Sequence, residues 1–99
     1  MITIKQDLDS ITSILYEAFE IEPFKRDYNS VFGHIANILH RYSITENPRN
    51  LRFRFILCMQ EFFDCIPESQ WSLKDPKFLK QSEEFAIAKF KEWILEQIT

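Results

Sequence analysis

The chain has 99 residues, 45% of them hydrophobic and 15% aromatic, with a formal net charge of −3. That length sets one domain, 1–99, able to bury roughly 60–65% of the surface its unfolded form exposes, so an unstapled core is within reach. One glycine, four prolines and a longest apolar run of five residues, Phe55 to Met59, exclude a glycine-rich phosphate loop, long disordered tracts and a membrane span.

The charge is unevenly spread. Residues 1–24 set one lysine against Asp7, Asp9, Glu17, Glu20 and Glu22, a balance of −4. Residues 41–54 set Arg41, Arg49, Arg52 and Arg54 against Glu46, a balance of +3, while Glu61, Asp64 and Glu68 follow with no base among them. An acidic opening repels phosphates and fits a basic partner or simple solubility. The opening MITIKQDLDS lacks the charged-then-apolar pattern of a signal peptide, so a cytoplasmic protein with no membrane association is expected.

In chain order, the first helix is expected from Thr3 or Asp7 to Glu20. Ile4, Leu8, Ile11, Leu15 and Ala18 form its inner face, with Asp7, Asp9, Glu17 and Glu20 off it. Asp7 and Asp9 suit the helix dipole, whereas Glu17, Glu20 and Glu22 crowd the end it disfavours, an arrangement open to chance or to an outside partner. Pro23 breaks the chain. Asp27 should cap a second helix, Tyr28 to Tyr42, with Tyr28, Val31 or Phe32, Ile35, Ile38 or Leu39, and Tyr42 inward. Gly33 in its middle costs about 1 kcal/mol relative to Ala, which suggests close approach of a neighbouring helix or a groove for a partner's side chain.

Asn47 to Ile66, NPRNLRFRFILCMQEFFDCI, reads as the central helix. Asn47 is its cap, Pro48 suits the first helical position, and Pro67 ends it. Leu51, Phe55, Cys58, Phe62 and Ile66 make one stripe, and Ile56, Met59 and Phe63 a second, with Phe53 and Leu57 widening the arc. A helix so apolar is expected to be buried between others. LRFRF alone would also fit a strand, but the capping and the run after it favour helix. Cys58 and Cys65, about 10 Å of helical rise apart, cannot bond to each other and should both be shielded free thiols. After an irregular ESQWSLKDP, Asp75 and Pro76 open a last helix toward Ile98, either continuous or bent near Ser82, with Leu79, Ala86, Phe90 and Trp93 inward.

No constellation carries chemistry. His34 and His40, about 240° apart on one helix, cannot share a metal. A thiol in the most apolar helix is a poor nucleophile. Arg52 and Arg54 diverge by about 200°, so the arginines do not make one nucleic-acid patch. Trp71 is either a core plug or an interface anchor. An all-α bundle of four or five helices with no cofactor, no metal and no enzymatic activity is expected.

With its acidic opening DLDSITSILYEAFEIE and its aromatic central helix, the whole chain resembles the small helical immunity proteins of bacterial toxin systems, those of contact-dependent growth inhibition in particular. The resemblance implies a partner rather than a substrate. The partner would be a cognate toxin domain, basic and nuclease-like, whose active site or substrate access is blocked. The residues put forward for that contact are Asp7, Asp9, Glu17, Glu20, Glu22 and Trp71. The alternative is a small helical regulatory or nucleic-acid-associated protein that uses the segment from Arg49 to Arg54.

Overall fold

In a computed structural model, residues 4–20 and 27–98 are described, and they form four helices with no strand among them. Helix α1 is Ile4–Glu20, α2 Tyr28–Leu39, α3 Pro48–Asp64 and α4 Pro76–Ile98. A 3-10 turn at His40–Tyr42 extends α2, and another at Glu68–Gln70 follows α3. Helix α1 packs on α2, α2 on α3, α3 on α4, and α4 back on α1, which closes the chain into a ring of four helices around one core.

Local chemistry sets the helix starts. The Asp27 carboxylate accepts from the Ser30 amide at 3.1 Å and from its hydroxyl at 2.8 Å. Those bonds favour the ionised form and hold the Asp27 carboxyl below its usual range. Asn47 accepts from the Asn50 amide at 2.8 Å, with Pro48 at the first helical position. Asp75 accepts from the Lys77 amide at 3.0 Å ahead of α4. Beyond the 3-10 turn, Ser43 takes the left-handed conformation (φ 62°) that turns the chain out of α2 toward α3.

The middle of the core is aromatic. Phe55 of α3 meets Phe32 of α2 at a ring-centre distance of 5.9 Å, Phe90 of α4 at 5.6 Å and Phe19 of α1 at 5.7 Å. Edge-on and tilted pairs of this kind add to what burial alone contributes. Ile11, Leu15, Ile35, Leu39, Leu51 and Ile94 fill the space around them and are essentially inaccessible. A second cluster lies toward the C-terminal end of α3. Phe62 and Phe63 pack there on Phe78, Phe62 also on Phe85, and Phe63 also on Trp71.

The described helices depart from the sequence reading in four ways. Helix α3 is not buried over most of its circumference: Leu51, Phe55 and Cys58 are buried, but Phe53 is 62% exposed and Ile56 49%. A ring gives each helix two neighbours and leaves an outer face, whatever residues occupy it. Cys65, at the end of α3, is exposed, because the core no longer reaches that turn. Leu79 of α4, expected inward, is exposed; of the two alternatives for that helix the continuous one holds, over 23 residues, with Ser82 donating to the Leu79 carbonyl at 2.6 Å.

The fourth departure is Asp7. It lies on the buried side of α1, not off the apolar face. Its carboxylate accepts from the Arg41 guanidinium at 2.8 Å and from the Tyr42 hydroxyl. Both donors stand in the 3-10 turn after α2, so this network ties the start of α1 to the end of α2. The bond to Asp7 requires the phenolic proton, and it pushes the Tyr42 hydroxyl above its ordinary value, with burial adding to the effect.

Three outcomes follow from this packing. Phe55→Ala should cost about 3–5 kcal/mol in chemical denaturation, and Phe62→Ala distinctly less because that ring is only half-buried. Tyr42→Phe should cost about 1.5–3 kcal/mol, since it strips a donor from a buried carboxylate. Because the folded pKa of Tyr42 is raised, this stabilisation is whole below the unfolded value of 10.0 and is lost as pH rises beyond it. A denaturation series run toward alkaline pH should therefore show wild type and Tyr42→Phe converging. Native-state thiol labelling should modify Cys65 quickly and Cys58 only on unfolding, because burial pushes the Cys58 thiol up and shields it.

Candidate functional site

Two surfaces of the ring carry features that folding does not require. One is the outer face of α1. Asp9, Glu17 and Glu20 are all exposed, and at helical spacing they fall within an arc of about 80° opposite Leu8, Ile11 and Leu15. No ion pair joins any of the three to a cation among the described residues. The last turn of α1 carries no basic residue to offset Glu17 and Glu20. The structure thus gathers three of the six residues put forward from the sequence. Asp7 is the correction, since it serves the interior. Glu22 lies outside the described residues.

The second surface is the outer face of α3 with the segment after it. Ile56, Met59, Phe63, Trp71 and Leu73 line an almost wholly apolar groove of about 420 Å³, with Gln60 and Asp64 on its edge. Trp71 packs against the turn after α3 and also borders the groove. Its indole N–H donates to the Ile66 carbonyl at 2.9 Å and its ring meets Phe63 edge-on at 5.3 Å, while another part of it lines the groove. Leu73, 56% exposed, stands outside any periodic apolar face, so its spacing gives no sign of this place. The signal that could have exposed this face is the breadth of the apolar arc on α3, wider than two neighbouring helices can cover.

The remaining candidates do not assemble. The Arg52 guanidinium lies over the Tyr28 ring at 4.9 Å and that of Arg54 over Trp93 at 5.2 Å, on different sides of α3. These are the partly desolvated stacking contacts that arginine favours, and they separate the two charges. A groove of about 580 Å³ with a mixed polar and apolar lining runs between α1 and α2, bordered by Asp9, Ser13, Ile14, His34, Ile38 and Arg41 among others. Its one buried carboxylate, Asp7, is already satisfied by Arg41 and Tyr42. Among the described residues no group of histidine, cysteine and carboxylate side chains is placed to hold a metal ion. No helix there is long and apolar enough to cross a membrane.

No protein-family model matches the chain, and no solved structure matches it. Over 52 residues, 52% of the chain, it is 40% identical to a protein of Kluyveromyces lactis described as a histone transcription regulator 3 homolog. The matched stretch is 3% of that much longer protein.

Proposed function

We propose that this chain is a non-enzymatic binding protein that neutralises a basic protein partner, in the manner of an immunity protein held against its cognate toxin domain. The observation that supports this reading is the outer face of α1. Asp9, Glu17 and Glu20 stand exposed and unpaired by any described cation, two of them at the helix end where their charge is unfavourable. Such carboxylates contribute little to folding. Against a basic nuclease cleft they would occupy positions otherwise taken by phosphates and would accelerate encounter. A cytoplasmic location and a nuclease-like toxin belong to the same proposal.

The partial similarity to the histone transcription regulator 3 homolog favours a second reading, a regulatory helical protein of the transcription apparatus. The two differ in what the acidic face should do when reversed.

The charge-reversed pair Glu17→Lys with Glu20→Lys should leave the denaturation midpoint nearly unchanged. Toxin binding should behave otherwise. Association with the toxin domain encoded beside this gene, followed by stopped-flow at two salt concentrations, should slow about tenfold or more at low salt and lose most of its salt dependence. Cells carrying the variant should lose protection while still making soluble protein. An unchanged association rate, or the lack of any toxin gene beside this one, would sink the immunity reading. Stronger, more salt-dependent binding to DNA or RNA in the variant than in wild type would favour a nucleic-acid-associated regulator.

A further inference from the structure

The outer face of α3 is ordered by charge as well as by polarity. Arg49, Phe53, Ile56, Gln60 and Asp64 recur at spacings of three and four and fall within an arc of about 80°. All five are exposed, so the face is basic at its start, apolar in its middle and acidic at its end. Arg49 and Asp64 are equally distant, in opposite directions, from the midpoint between Ile56 and Leu57, and so are Phe53 and Gln60. A surface of that pattern is complementary to itself when turned end for end.

We propose that α3 pairs, antiparallel, with α3 of a second copy of this chain, about a two-fold axis passing between Ile56 and Leu57. In that register Arg49 of each copy faces the partner's Asp64. Phe53, the most exposed large apolar side chain of the described residues, comes opposite the partner's Gln60. Gln60 also lines the groove formed by Ile56, Met59, Phe63, Trp71 and Leu73, so each Phe53 ring comes against the rim of the other copy's apolar surface. The contact is isologous, each residue used twice, as two-fold pairs require. Charge decides the direction: a parallel pair would set Arg49 and Arg52 against their own copies and Asp64 against Asp64. The helices bring a face about 25 Å long, at 1.5 Å per residue over the 17 residues of α3. One helix face on each side is a small contact, so the pair should form reversibly, with its population set by concentration.

Sedimentation of the purified chain from about 5 µM to about 500 µM should show the weight-average mass climb from the 12.0 kDa of one chain toward twice that value. Phe53→Glu should weaken association at least tenfold, since it buries a charge in an otherwise apolar part of the contact. Arg49→Asp should weaken it as well, because each copy then opposes Asp64 with a like charge. Combining Arg49→Asp with Asp64→Arg should restore it, and only antiparallel self-pairing yields that rescue. All three positions are exposed, so circular dichroism should report unchanged helix content in every variant. A mass of one chain at all concentrations would overturn the proposal and leave the groove to a helix of another protein. So would a dimer indifferent to Phe53→Glu, or a charge-swapped variant no better than Arg49→Asp alone.

Discussion

Phe55 is the side chain at which the four helices meet. Its ring touches Phe19 of α1, Phe32 of α2 and Phe90 of α4, so a residue of α3 is in contact with an aromatic from each of the other helices. Helices α1 and α3 sit diagonally in the ring and share little other surface. The Phe19–Phe55 contact spans that diagonal and sets how closely the two helices approach. Leu51 and Cys58, one turn either side of Phe55, continue the same buried stripe of α3. With so few large residues directed inward, the rest of α3 is left to solvent or to partners.

What could be read from the residues alone follows a division by distance along the chain. The starts of α2, α3 and α4 were legible because each depends on a carboxylate or amide two or three residues from the amide it caps, as with Asp27 and Ser30 or Asn47 and Asn50. The all-helical bundle was legible because the 3.6-residue period of Ile4, Leu8, Ile11 and Leu15 is a local pattern. Asp7 was not legible. Its partners are 34 and 35 residues away, and nothing near it shows that Arg41 and Tyr42 will arrive on the same side. The two cysteines make the same point: they lie on nearly the same side of α3, yet one is buried and the other exposed, because cover depends on where the neighbouring helices pass.

The acidic residues of α1 divide in the same way. A balance of charge over a segment cannot separate a carboxylate that holds the fold from one that faces solvent. Asp7 and Asp9 are two residues apart, which at 3.6 residues per turn places them about 200° apart around the helix. One is inside and saturated with donors; the other stands on the surface with Glu17 and Glu20. The gathered acidic face is therefore smaller than the count for residues 1–24 suggests, but it is one-sided and none of its three carboxylates is ion-paired to a described cation.

The diagonal placement of α1 and α3 has a consequence for how the two proposals fit together. Their outer faces look away from one another, so a pair joined through α3 would leave both acidic faces uncovered and carry them to opposite ends of the dimer. Occupying one would not obstruct the other. Against a partner with a single basic site, each half of such a dimer would bind as the lone chain does, and pairing would change nothing in the affinity. Against a partner that is itself two-fold, the second contact would become intramolecular, and avidity could exceed the single-site affinity by about 10²–10⁴ if the spacing of the sites matched. The symmetry of the partner, rather than any further contact on this chain, would then decide whether association through α3 matters for what α1 holds.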